Sequence, residues 1–234
     1  MASSNNSVLS AAREGLGFFG RTANALRERI QRRLGRGTDL DPENRGISAG
    51  HEALHQPVTR ITTAPEGVCI YAVGDIHGRR DLLDRLLILI GEDAAKLPAG
   101  VRAQIVFLGD YIDRGLKSRD VIDLFASGGL DRFDPVYLLG NHEEALLRFL
   151  REASFGSQWA RYGGAETLYS YGLAPPNQRA SLNSHEEMSA AREAWTRVWN
   201  EFRTRLPAEH LSFLQSLKTY YTAGDYLFVH AGVR

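Results

Sequence analysis

With 234 residues, 43% of them hydrophobic and 24% charged, the chain holds enough apolar material for one sizeable globular domain plus an appendage. A formal net charge of +0 argues against a protein held on nucleic acid by bulk electrostatics, and the one cysteine, Cys69, excludes an intramolecular disulfide framework or a multi-thiolate zinc site. No apolar run approaches the roughly 18 residues that span a bilayer, and no signal-type apolar stretch opens the chain, so the expected location is cytoplasmic.

In chain order, residues 10–37 come first. Arg13, Arg21, Arg27, Arg29, Arg32, Arg33 and Arg36 stand there against Glu14 and Glu28, while Phe19, Ala23, Leu26, Ile30 and Leu34 recur at helical spacing. The pattern is a basic amphipathic helix, suited to peripheral association with an anionic membrane or to a protein partner. A presequence, or a solvated extension docked weakly on the main domain, fits the same pattern. Residues 38–65 are polar and aperiodic and read as linker, with His51 and His55 as exposed bystanders. The expected organisation is therefore 1–66 as helix and flexible linker and 67–234 as the main domain.

Order begins near Val68. Cys69–Val73 reads as an apolar strand, with Cys69 as a small core side chain, and runs into Gly74-Asp75-Ile76-His77-Gly78; a helix follows, with Leu82, Leu83, Leu86, Leu87 and Ile90 on its apolar face. A second strand, Gln104–Leu108, enters Gly109-Asp110-Tyr111-Ile112-Asp113-Arg114-Gly115 and then a helix through Val121, Ile122, Leu124 and Phe125. A third, Pro135–Leu139, enters Gly140-Asn141-His142-Glu143 and a helix with Ala145, Leu146, Phe149 and Leu150. Three such units in succession predict an α/β domain with largely parallel strands, whose polar turns share the edge beyond the strands' carboxyl ends.

A helical insertion is expected over about 153–217, with helices near 157–170 and 186–205 and a third opened by Pro207 and running through Leu217. Its large side chains, Trp159, Tyr162, Tyr169, Tyr171, Trp195 and Trp199, read either as helix-on-helix packing or as a lid that sets substrate choice. His185 and His210 are expected on the surface. Ala223-Gly224-Asp225 reads as a hairpin turn before the strand Tyr226–Val229, which delivers His230; Asp225 is not expected to be a ligand.

Asp75 and His77, Asp110, and Asn141 and His142 are side chains suited to a divalent cation. Mixed oxygen and imidazole donors fit Mn, Fe or Zn better than Ca or Mg. Asp75 and His77, two apart at a strand end, are expected to point the same way. Each turn alone is a weak signal, because Gly-Asp and Gly-Asn are common turn dipeptides. Three of them, each after an apolar strand and before a helix, point to a binuclear site.

GDIHG, GDYIDRG, GNHE and HAG, in that order, resemble the signature of the calcineurin-like metallophosphoesterases, in their bacterial-type phosphoprotein (serine/threonine) phosphatase branch. The resemblance implies a β-sandwich flanked by helices, here with its second sheet incomplete. It also implies two divalent ions, expected as Mn2+ with Fe or Zn as alternatives. Asp75 and His77 would hold the first ion, Asp110 would bridge the pair, and Asn141 and His230 would hold the second. His142 would protonate or hydrogen-bond the leaving oxygen, Asp113 would orient that imidazole, and Arg114 would grip the phosphate, with Arg234 as a further candidate contact. The implied reaction is hydrolysis of a phosphoprotein or small phosphoester by a metal-bridging hydroxide in line with the leaving group.

Two departures accompany the resemblance. Leu139 stands where the branch usually carries an arginine, which leaves the substrate open. The family pattern also continues past HAG with another histidine-bearing strand, so the chain reads as truncated and its second metal site as incomplete. The alternatives are a symmetrical dinucleoside tetraphosphate hydrolase, against which Asp113 argues, and an inactive phosphate-binding module.

Overall fold

The computed structural model describes residues 62–176 and 184–232. The basic segment 10–37, His51, His55 and Arg234 lie outside these residues.

The runs VCIYAV and RAQIVF form β1 (Val68–Val73) and β2 (Arg102–Phe107), paired in parallel in the register Val68↔Arg102 through Val73↔Phe107. Their β-branched and aromatic side chains suit a sheet covered on both faces. β3 pairs with β2 in parallel only over Val136–Tyr137, shorter than the expected 135–139. Beyond it Leu138 N–H still donates to the Phe107 carbonyl at 2.9 Å, while the other edge of the strand bridges Lys218, with Leu139 N–H bonded to the Lys218 carbonyl at 2.7 Å. The third strand thus links the parallel sheet to the chain entering a second, two-stranded one. That second sheet is the hairpin β4 (Tyr220–Ala223) and β5 (Tyr226–Val229), in register Tyr220↔Val229 to Ala223↔Tyr226, as the Ala223-Gly224-Asp225 turn predicts.

The parallel sheet separates two cores by its period of two. On one side Ile105 and Phe107 join the main core with Leu83, Leu87, Ile122, Phe125, Leu146 and Phe149, all from helices. On the other, Val106, Val136 and Leu138 meet Tyr221 and Phe228 of the hairpin. Sheet on sheet, with helices outside, is the sandwich that the sequence resemblance implies.

Helix α1 (Arg80–Ala94) follows β1 and buries Leu83, Leu87 and Ile90, one face at i, i+4, i+7. Leu82 and Leu86, expected on that face, are exposed at 47% and 37%. At 100° per residue they belong to the neighbouring stripe, which the main core leaves uncovered. Helices α2 (Ser118–Ala126) and α3 (Asn141–Arg151) follow β2 and β3.

The insertion begins with α4 (Gly156–Trp159), turns wide over Ala160–Gly164, where Gly163 leaves helical geometry at φ 105°, and resumes as α5 (Ala165–Ser170). The sequence predicts one continuous helix over 157–170; the break falls where Gly163 takes up a left-handed φ. Helix α6 (His185–Arg205) starts on a capping box in which Ser184 Oγ accepts the Glu187 amide and Glu187 Oε2 accepts the Ser184 amide. Pro207 precedes α7 (Ala208–Gln215).

Trp159, Tyr171 and Trp195 are buried, and Phe149 stacks on Trp159 with ring centroids 4.9 Å apart, whereas Tyr162 and Tyr169 are exposed. His210, expected on the surface, is 1% exposed. Its Nε2–H donates to Asp123 Oδ1 at 2.7 Å, so its Nδ1 accepts the Tyr171 hydroxyl at 2.9 Å. It shares a helix face with Phe213 and Leu214, which turns it inward. Among the described residues no helix is long and apolar enough to cross a membrane.

Candidate metal centre

The turns after β1, β2 and β3 and the residue after β5 meet at one end of the sandwich. Asp110 is the hub of the backbone. Its carbonyl accepts the amides of Ile76 and His77, both at 2.9 Å, and this binds the first turn to the second. His77, Asp110, Asp113 and Arg114 all adopt left-handed backbone, with φ of 45°, 56°, 71° and 65°. Four non-glycine residues in that region within two turns mark a site where the surrounding bonds hold strained conformations. The same strain corrects one expectation. Asp75 and His77 do face each other, Oδ2 to Nε2 at 3.7 Å, but across a loop past the strand end at Val73, not by strand alternation. The third turn comes as close as contact allows: a Cβ on Gly109 would stand 2.7 Å from Gly140 Cα.

The side chains converge on Asp110. His77 Nε2 lies 3.8 Å and His142 Nε2 3.9 Å from its Oδ2, and His230 Nε2 lies 3.4 Å from its Oδ1. Two groups of donor atoms, one from His77, Asp110 and His142 and the other from Asp75, Asp110 and His230, each lie within 4.8 Å of one another. Asp110 belongs to both.

The outer hydrogen bonds suit a cation. His77 Nδ1 faces the Ile112 carbonyl at 2.9 Å and His230 Nδ1 faces the Leu108 carbonyl at 2.8 Å. A carbonyl can only accept, so each Nδ1 carries the proton and each Nε2 presents its lone pair to the cluster. His230 Nε2 then meets Asn141 Oδ1 at 3.0 Å, lone pair against lone pair. A cation between them would relieve that opposition. His77 Nε2 receives Arg114 Nη1 at 2.9 Å, and Arg114 Nη2 lies 3.2 Å from His142 Nε2, so a guanidinium already sits against the imidazoles. The donor set fits divalent metal: carboxylate, amide and imidazole ligands, with tautomers fixed from behind.

The face toward the main core is closed. Asp113, fully buried, accepts His142 Nδ1–H at 2.7 Å and Trp159 Nε1–H at 2.9 Å on Oδ2, and the Thr167 hydroxyl at 2.6 Å on Oδ1. The hydrogen bond to Asp113 raises the His142 pKa against the opposing cost of burial. Asp75, Asn141 and Arg114 lie on the exposed side.

Glu143, for which the sequence suggested no role, is fully buried among backbone amides: Asp110 at 2.9 Å, Tyr111 at 2.8 Å, Ile112 at 3.3 Å and its own Gly140 at 3.1 Å. Burial, then the Asp110 charge, pushes its pKa up to about 7, against the pull of these donors. A glutamate at the third position of a helix is a capping-box signal and could have flagged the Gly140 bond. Its reach to the second turn is tertiary. Trp159 and Thr167 were likewise missed as site neighbours, because they lie 46 and 54 residues from Asp113.

The structure thus brings together Asp75, His77, Asp110, Asp113, Arg114, Asn141, His142 and His230. A model of the calcineurin-like phosphoesterase family matches residues 70–233. A Caenorhabditis elegans protein named as a candidate serine/threonine-protein phosphatase is 33% identical over 105 residues, covering 42% of this chain and 27% of its own length. An uncharacterised protein of the same organism is 43% identical over 83 residues, covering 33% of this chain and 32% of its own length. The chain therefore spans a third or less of the length of these relatives. Among solved structures, a metallophosphoesterase from Sphaerobacter thermophilus aligns with TM-score 0.34 at 20% identity, over 68% of this chain and 44% of that one.

Proposed function

Because the chain belongs to the calcineurin-like phosphoesterase family, we propose that its converged turns form a binuclear metal site that hydrolyses phosphomonoesters, carried on phosphoprotein or on a small molecule. The observation that carries this reading is the position of Asp110, shared by both donor groups. Asp75 and His77, 3.7 Å apart, would hold one ion and Asn141 and His230, 3.0 Å apart, the other, with Mn2+ as the proposed occupant; this division follows the motif resemblance, whereas the donor groups by distance place Asp75 with His230 and His142 with His77. When bound, such a pair lowers the pKa of water and neutralises phosphoryl oxygens.

This chain's own residues would do the rest. Arg114, exposed and carried on the second turn, offers the planar fork that matches a phosphate bidentately. His142 Nε2 faces the cluster, and its proton would go to the leaving oxygen. Asp113 holds the opposite ring nitrogen and favours the charged imidazole that must form before donation. Glu143 fastens the second and third turns together. Leu139, half-buried with its amide bonded to Lys218, offers no second cation, so the substrate class is left as wide as phosphomonoester.

The test is hydrolysis of p-nitrophenyl phosphate and of phosphoserine peptides by the protein, after chelation and after adding back Mn2+, Zn2+ or Fe2+. Metal-restored turnover is expected. No turnover with any ion, in protein shown by elemental analysis to bind two per chain, would refute the reaction.

A further inference from the structure

The Asp113 carboxylate, besides its histidine, is held by Trp159 and Thr167 of the insertion, and its amide is shared between Thr167 and Ser118 of α2. A buried carboxylate needs its oxygens satisfied, and one that orients an imidazole must not swing. Trp159 Nε1–H donates to Oδ2, the oxygen that also receives His142, and the Thr167 hydroxyl donates to Oδ1. Thr167 Oγ1 in turn accepts the Asp113 amide at 2.9 Å, supporting a backbone at φ 71°. Both ends of the residue are thus pinned by one side chain.

The shape of the insertion suits this task. In an unbroken helix Trp159 and Thr167 would stand about 12 Å apart along the axis, too far to meet one carboxylate. The wide turn at Ala160–Gly164 brings them to its two oxygens. The glycines in that turn are shaped for it. A Cβ on Gly164 would lie 2.4 Å from the Trp159 ring, and Gly163, at φ 105°, lets its carbonyl accept the Arg114 amide at 3.0 Å. Phe149 stacks on the same indole.

We propose that Trp159 and Thr167 are positioning residues for the leaving-group proton: they lock Asp113, and through it the His142 ring, while touching neither substrate nor metal ligand. The inference rests on the phosphomonoesterase reading. It also gives the insertion a role behind the site in place of a lid over it.

The experiment uses Thr167→Val, which keeps shape and removes the hydroxyl, Thr167→Ser, which restores it, and Trp159→Phe, which keeps a ring against Phe149. In the Mn-loaded protein, kcat is measured on phosphomonoesters whose leaving groups span from p-nitrophenol to simple alcohols. General acid assistance matters most for poor leaving groups, so Thr167→Val and Trp159→Phe are expected to lose about 10- to 100-fold on alkyl phosphates. The loss on p-nitrophenyl phosphate is expected within about threefold, with KM and Mn2+ affinity unchanged and Thr167→Ser close to wild type. Equal losses across all leaving groups, or losses that track metal affinity, would overturn the proposal. A second readout needs no turnover: the downfield Nδ1–H proton resonance of His142, assigned by its absence in His142→Asn. It is expected to shift or broaden in Thr167→Val, and an unchanged resonance overturns the proposal. If wild type turns over no phosphoester yet the resonance responds, positioning stands and the phosphoesterase reading falls.

Discussion

Glu143 Oε2 accepts the amide hydrogen of Asp110 at 2.9 Å, which fastens the third turn to the second from beneath. All four partners of this carboxylate are N–H donors. Glutamine would turn one acceptor into a donor facing donors, so Glu143→Gln is not conservative here. We expect Mn2+ affinity to fall about 10- to 100-fold, as when residues behind metal ligands are lost. Calorimetric titration of the chelated protein measures it. Wild-type affinity would remove Glu143 from the support of the site.

Asp110→Asn keeps the shape of the hub and removes its charge. Both donor groups lose their shared carboxylate, so Mn-stimulated hydrolysis of an aryl phosphate is expected to vanish while the circular dichroism spectrum stays native. Undiminished turnover in this variant would falsify the binuclear assignment.

Gly163→Ala places a Cβ 2.7 Å from Arg114 Cγ at a backbone φ of 105°. The conformational strain alone is of order 1–3 kcal/mol, and relief requires the turn to move off Arg114. Inhibition by inorganic phosphate should weaken about tenfold, about 1.4 kcal/mol, with Mn2+ binding unaffected. A competition assay against phosphate decides it; an unchanged inhibition constant would show that Gly163 does not set the position of Arg114.

In metal-free protein the raised Glu143 pKa makes stability depend on pH. The folded carboxyl, at about 7 against an ordinary 4.5, holds its proton more tightly than the unfolded one. Its contribution is therefore complete below about pH 4.5 and is lost as pH rises through about 7, up to ~3 kcal/mol. His142, also raised, acts in the same direction. Thermal denaturation in chelator should give a higher Tm at pH 5 than at pH 8, with a flatter profile for Glu143→Gln. A wild-type Tm that rises steadily over that range would contradict the assignment.

The strands and turns were legible because each is a local pattern: an apolar run, a glycine, then carboxylate, amide or imidazole before a helical period. Asp75, His77, Asp110, Asn141 and His142 could be picked out in that way, whereas the role of His230 and the sandwich followed from the motif resemblance. Leu82 and Leu86 went astray because periodicity marks an apolar helix without saying how much of its circumference a neighbour will cover. His210 was misjudged from its polar neighbours, although its spacing from Phe213 and Leu214 carried the signal. Trp159, Thr167 and Glu143 act through bonds to residues more than 30 positions away, and no spacing rule reaches that far.

What the sequence determined by itself was the set of reactive side chains and the strand ends that carry them, since parallel strands alternating with helices must present their following turns on one edge. The tertiary structure alone decided which atoms face one another: which imidazole nitrogen is left free, which carboxylate is shared, and which buried donors hold Asp113 still. Those are matters of hydrogen-bond direction and close packing between distant segments, set only once the chain has closed on itself.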